Sequence, residues 1–264
     1  MVTAGSYPAN TFALDYLVDA CAARGLRSIV EVGVGHGTAV DVLAGAGLDM
    51  TGFDRDPAMV EVSRGAMTAA GLDPARTSLG DIEDPASYAG VREAGPFDAL
   101  LALGILPTAQ DEARTLANMR SLVRPGGEVF VEYRNVLFSL VTFNRHTRDF
   151  ILDELLEGVA PAMRDAVADY LAPRLDLDRP PVPTSAVVPE YHNPLTVMAE
   201  FERVGFVDAR PFYFHYHPGM PALEKDDPAL FHEEARRMEH EDSGWKGMFL
   251  CSAFLVHARV PDEE

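Results

Sequence analysis

Short apolar runs and stretches with helical spacing alternate along residues 1–135 in a strand–helix rhythm punctuated by glycine and proline. Residues 12–24 carry apolar positions at helical spacing. A first strand is predicted at 28–32, a helix at 38–46, and a second strand at 49–53 that ends at Asp54. Residues 57–71 read as a helix, with Asp56 as its N-cap and Pro57 at the first helical position, where the missing N–H is harmless. A third strand, 77–79, leads into Gly80-Asp81. Residues 97–103 form a buried fourth strand and 112–122 a helix that Arg124-Pro125-Gly126-Gly127 ends. A fifth strand follows at 128–133. Strands joined by helices of this length imply a parallel sheet covered on both faces.

The rhythm breaks after residue 135. Residues 136–191 contain a helical stretch at 147–171 and a proline-rich connector at 173–189. The pattern resumes at Asn193-Pro194, which opens a helix at 195–204 closed by Gly205, and 207–217 and 248–260 read as two further strands. An acidic, partly helical insert lies between them. The expected organisation is a core at 1–135, an insertion at 136–192, and the rest of the core at 193–264 with a second insertion at 218–247.

At 264 residues the chain can bury one large core, and its 47% hydrophobic content marks it as globular. No apolar run reaches the roughly 18 residues that span a bilayer. Residues 1–10 show no signal peptide, and the two cysteines form no CxxC pair, so a cytoplasmic protein is expected. A formal charge of −19 repels phosphate backbones and anionic lipid, which counts against nucleic-acid and membrane partners; it also serves solubility alone. Arg145 and Arg148 are the best candidates for a local basic patch.

Residues 29–37 read Ile-Val-Glu-Val-Gly-Val-Gly-His-Gly. Glycines at 33, 35 and 37 let the backbone turn sharply and let a ligand approach it closely. The loop joins a strand's carboxyl end to a helix, the crevice where open α/β sheets bind nucleotides. An NAD-type fingerprint needs a third glycine three positions after the second; Thr38 stands there, so NAD is the poorer reading.

Four further motifs follow in order: Gly-Phe-Asp-Arg-Asp-Pro (52–57), Gly-Asp-Ile-Glu-Asp (80–84), Phe-Asp-Ala-Leu-Leu-Ala-Leu-Gly-Ile-Leu (97–106) and Leu-Val-Arg-Pro-Gly-Gly-Glu-Val (122–129). With these the chain resembles the class I S-adenosylmethionine-dependent methyltransferases of small-molecule type, over its sheet-forming parts and not over the insertions. The resemblance implies an α/β, Rossmann-like seven-stranded mixed sheet with helices on both faces and a largely helical cap from the two insertions. It implies S-adenosyl-L-methionine as cofactor. Gly33, Gly35 and Gly37 would lie against its methionine part, and Asp54 would accept both ribose hydroxyls. Arg55 or Met59 would cover one adenine face and Ile82 the other, with Asp81 accepting from the exocyclic amine. Glu31 would orient the loop or the ammonium group through a water, and Leu103 and Gly104 would offer carbonyls near that ammonium.

By the same fold analogy the insertions leave from loops on the cofactor's side and would close over a discrete small acceptor. Methyl transfer is an in-line displacement that needs an aligned nucleophile and, for a hydroxyl or ammonium, a proton acceptor. His215, His217 and His146 are the candidate bases, poised near neutral pH, and each also suits a structural role. Two-residue periodicity puts Tyr213, His215 and His217 on one strand face. Tyr133, Arg134, Asn135, Arg145, His192, Tyr213 and Trp245 are candidate acceptor contacts, although Trp245 could equally anchor the insert. His-x-His with His232 or His240 invites a metal, but Arg236 and Arg237 would repel a cation and His-Glu-Glu is not His-Glu-x-x-His, so none is expected. The expected function is methyl transfer to a hydroxyl or amine of a small metabolite (a sugar, nucleotide-sugar or antibiotic-type product) by a monomer or homodimer. The rivals are a methyltransferase of RNA or protein, and a cofactor-binding member that transfers nothing.

Overall fold

The computed structural model describes residues 8–177, 190–240 and 244–262. Helix α1 (Ala9–Arg24) buries Ala13, Leu14, Leu17 and Cys21 along one stripe. Strand β1 (Ser28–Val32), helix α2 (Val40–Gly45) and strand β2 (Asp49–Asp54) follow. Helix α3 (Pro57–Ala69) starts at Asp56, whose carboxylate accepts from Ala58 N at 2.8 Å. Next come β3 (Thr77–Leu79), α4 (Ala89–Ala94), β4 (Phe97–Ala102), α5 (Glu112–Leu122) and β5 (Val123–Arg134). The remainder is α6 (Arg145–Asp149), α7 (Pro161–Leu171), α8 (Met198–Val204), β6 (Val207–Tyr216), α9 (Pro228–Glu239), α10 (Gly247–Leu250) and β7 (Cys251–Arg259).

The strands form a seven-stranded mixed, Rossmann-like sheet in the order β3-β2-β1-β4-β5-β7-β6, flanked by helices. β1 pairs in parallel with both β2 and β4, and β4 with β5. Strand order therefore reverses between β1 and β4, and in open α/β sheets the ligand crevice lies outside the carboxyl ends at that reversal.

Several local expectations are corrected. The helix expected at 38–46 begins only at Val40, because Gly35 and Gly37 hold left-handed φ values of 47° and 70° and keep the chain turning. Pro125-Gly126-Gly127 does not precede the fifth strand but lies inside it: Val123 already pairs with Phe97, and the register then shifts. The stretch expected as one helix at 147–171 is broken. A π-helical turn at Phe150–Leu155 follows α6, Gly158 takes φ 77°, and α7 restarts at Pro161, whose ring disfavours helical backbone in the residue before it. The helix expected from 195 starts at Met198, and residues 248–250 belong to α10 rather than to the last strand. From residue 178 onward the proline-rich connector lies outside the described residues.

The chain divides into two compact units. The first comprises Asn10–Tyr133, Leu195–Phe212 and residues 255–262. Its core holds Leu17, Ile29, Phe53, Leu100 and Phe130, with Phe53 stacked on Tyr88 at 4.8 Å between ring centroids. His257 also lies there. Its Nδ1 accepts from Arg210, and its Nε2 donates to Glu128 at 3.0 Å, which fixes the neutral tautomer. The second unit comprises residues 8–9 and the described parts of Arg134–Pro194 and Tyr213–Phe254, so both insertions fall in it. Val136, Leu137 and Phe150 form its apolar cluster, with Leu140, Tyr191, Met248 and Phe249 packed around them. Cys21 in the first unit and Cys251 in the second are buried free thiols. Among the described residues no helix is long and apolar enough to cross a membrane.

Candidate functional site

In the first unit a cleft of about 270 Å³ opens after the carboxyl ends of β1, β2, β3 and β4. Gly33, Asp54, Arg55, Asp81, Ile82 and Gly104 line it, each named from the sequence. Asp54 is pinned at both oxygens: Oδ2 accepts from Gly35 N and Oδ1 from Asp56 N, each at 2.9 Å. Each oxygen keeps a lone pair for a further donor. Asp81 is set in the same way, by Glu83 N on its Oδ1 at 3.0 Å. Gly33 sits at φ 76°, and a Cβ there would run into the Ile105 side chain. Glu31 is buried, its Oε2 has no partner among the described residues, and burial, reinforced by the charge of Asp54, pushes its carboxyl up to about 8.

The other residues expected around this cleft do not line it. A Cβ on Gly37 would come 2.8 Å from Ala66 Cβ and 3.3 Å from Ser63 Cα, so Gly37 serves the packing of the loop on α3. Gly35 acts through its N–H on Asp54, and Met59 and Leu103 are outside the lining. Sequence reasoning missed Glu83, Ile105, Thr108 and Ala109. Glu83 Oε1 accepts from the backbone N of Gln110 and of Asp111, 3.0 Å each, and so ties the loop after β4 to the loop after β3. That loop-to-loop tie has no sequence signature.

In the second unit a cavity of about 640 Å³ gathers all three candidate histidines, His146, His215 and His217, with Arg134, Tyr191 and Ser252. Ser252 Oγ lies 2.9 Å from His215 Nδ1 and 3.2 Å from His217 Nε2. One hydroxyl proton serves only one of these nitrogens, so the other imidazole must donate an N–H to the oxygen. Burial drives His215 down to about 4, with the Arg134 charge adding to it, and His217 down to about 3, with His215 adding to it. His146 is lowered as well, by burial and then by Arg145. All three are neutral bases at pH 7. β6 ends at Tyr216, so His217 lies just beyond the strand expected at 207–217; the rings of His215, at φ 62°, and His217 are nonetheless neighbours, 4.9 Å between centroids.

The other expected contacts are placed elsewhere. Tyr133 is fully buried in the first unit and donates to Glu112 at 2.9 Å. Asn135 is a buried peg: its Nδ2 donates to the carbonyls of Met248 and Cys251, and its Oδ1 accepts from Leu137 N. Arg145 lies outside the cavity lining and 3.9 Å from Asp149, and His192 N donates to Arg134 O. Tyr213 packs against Gly247, where a Cβ would come 2.8 Å from its ring. Trp245 is 68% exposed, with its edge on Phe249. Ser252 and Phe138 were missed; a lone serine or phenylalanine in a strand or turn carries no motif.

Residues 29–127, which hold the whole of the first cleft, match the family model described as a methyltransferase domain. That stretch of the chain is thus similar to a methyltransferase domain. The ubiquinone biosynthesis O-methyltransferase of Aromatoleum aromaticum is similar to it, 29% identical over 56% of this chain and 61% of that protein. So is the protein-L-isoaspartate O-methyltransferase of Methylorubrum populi, 34% identical over 48% of this chain and 57% of that protein. The chain thus spans less than two thirds of the length of these curated relatives. In fold the chain resembles an S-adenosylmethionine-dependent methyltransferase from Mesorhizobium loti, at TM-score 0.51 and 17% identity over 93% of this chain and 99% of that one. The methyltransferase SibL in its apo form also has TM-score 0.51, with 17% identity over 96% of this chain and 55% of that one.

The cleft fits S-adenosylmethionine, the cofactor that the resemblance implies. The bare backbone at Gly33 is a cradle that a side chain would fill, and the pinned carboxylate of Asp54 suits two vicinal hydroxyls. The buried, half-unpartnered Glu31 suits a cationic neighbour.

Proposed function

We propose that this protein transfers a methyl group from S-adenosylmethionine to a hydroxyl or amine of a small metabolite, held in the cavity of the second unit. The cofactor supplies an electrophilic methyl on a sulfonium. What carries the acceptor half is the pair His215 and His217 bridged by Ser252, neutral at working pH beside apolar walls. A hydroxyl oxygen becomes strongly acidic as it bonds to carbon, so even a weakly basic imidazole can take its proton at that moment. His215 receives the proton, and Ser252 and His217 hold its ring in place. A small acceptor is supported by the cavity's size, which falls in the range of metabolite sites. The charge of −19 favours such an acceptor over RNA. The two thiols, both free, agree with a cytoplasmic setting.

Thermal unfolding with S-adenosylmethionine, S-adenosylhomocysteine and NAD tests the cofactor half. An adenosyl ligand at about 100 times its Kd adds roughly 2.7 kcal/mol and raises the midpoint by several degrees, and NAD does not. Conversion of cofactor to S-adenosylhomocysteine with a panel of hydroxyl and amine metabolites tests the rest. Stabilisation without turnover on any metabolite, but with turnover on RNA or protein, would overturn the small-acceptor reading.

A further inference from the structure

We infer that the acceptor is an organic anion, an apolar ring bearing one carboxylate, and that Arg134 is the residue that selects it. The inference rests on the second-unit cavity being the acceptor site. It starts from charge. The chain has 41 acidic residues for 22 lysines and arginines. Arg24, Arg64, Arg124, Arg148 and Arg259 are paired with carboxylates, whereas Arg27, Arg55 and Arg120 make no ion pair among the described residues, so what sets Arg134 apart is its place in the cavity wall. Arg134 lines the cavity, is partly buried, and makes no ion pair among the described residues. Lys225, at the same cavity, has none either. The acid in the lining, Glu224, is engaged by His232 Nε2 at 2.7 Å.

The cavity is therefore locally positive in a strongly negative molecule, and the charge of Arg134 acts on its neighbours: it adds to the lowering of His215 that burial causes, and it offsets part of the rise that burial imposes on the Tyr191 phenol. A half-buried guanidinium without a counter-charge is costly, and a ligand carboxylate relieves it. Its planar fork matches a carboxylate with two parallel N–H···O bonds. The fork is also well anchored: Arg134 ends β5, and its carbonyl accepts from His192 N at 2.7 Å. Phe138, Tyr191, Pro221 and Pro228 give the rest of the wall an apolar character that suits a ring. Long-range repulsion by the whole molecule makes such a local cation necessary for an anionic acceptor.

The test measures binding of 4-hydroxybenzoate, 4-hydroxybenzamide, methyl 4-hydroxybenzoate and phenylphosphonate to the full chain, by calorimetry with S-adenosylhomocysteine present. The acid is expected to bind at least about tenfold more tightly than amide or ester. Arg134→Gln should abolish that preference, and Arg134→Lys should keep part of it, since charge remains without the fork. Binding of S-adenosylhomocysteine by each variant shows that it is folded. Equal binding of acid and amide, no binding of the acid at millimolar concentration, or a preference that survives Arg134→Gln overturns the inference. Phenylphosphonate binding better than the carboxylate overturns the carboxylate assignment. Failure of S-adenosylhomocysteine to bind the wild type would strike the cofactor reading instead, while the acid–amide comparison stands on its own.

Discussion

Glu31 stands two residues before Gly33, buried, with a carboxyl raised to about 8 against an ordinary 4.5. Between those values the folded chain keeps a proton that the unfolded chain has released. The stability this gives is complete below pH 4.5 and is lost as pH rises through 8. Glu31→Gln should therefore leave the unfolding midpoint near pH 4.5 unchanged and raise it at pH 8.5 by about 2–4 °C or more. An equal shift at both pH values would show that Glu31 does not titrate in this way. The histidine pair acts at the other end of the scale. His215 and His217 fall to about 4 and about 3 from an ordinary 6.5, so their contribution is present above pH 6.5 and lost as pH falls through 4 to 3. His217→Gln should flatten the acid-side loss in a melting series from pH 7 to 3.5. At this scale the sequence exposed the residues but not their partners. Asp54 was legible because it ends a strand beside a glycine loop. Asn135 was not, because its carbonyl partners lie 113 and 116 residues away.

The glycine loop shows how an element turns sequence into a site. Gly33 takes φ 76° and leaves no room for a Cβ beside Ile105. Gly33→Ala should weaken S-adenosylhomocysteine binding by more than about tenfold, since both backbone strain and the lost cradle act against it. Gly47, also at positive φ but in open space, is the control: Gly47→Ala should leave binding unchanged and cost only stability. The strands were readable because parallel strands buried on both sides appear as unbroken apolar runs between turn signals. Helix α4 was not, because Ala-Gly-Val-Arg-Glu-Ala buries Val91 alone and so has no period. The break between α6 and α7 was written in Gly158 and Pro161, and the helical spacing around them concealed it.

Over the whole molecule, the charge of −19 sets which partners can approach. In filter binding at low salt, labelled polyuridylate should not be retained; salt-sensitive retention would reveal a basic surface that outweighs the total. The first-unit cleft was legible because the residues named for its lining come in order along four motifs within residues 29–106. In the second-unit cavity Arg134, His146, His215 and His217 were legible singly, but their meeting with Ser252 was not, because only the folding of two distant insertions into one unit brings them together. The two buried cysteines follow that division, one thiol to each unit. Burial raises both thiols far from the thiolate range, so neither reacts until its surroundings open. Pulsed alkylation read peptide by peptide thus gives the chain two built-in clocks. Cys21 times the exposure of α1, and Cys251 times the loosening of the strand start that holds the histidine cavity. An acceptor bound in that cavity should slow the second clock more than the first.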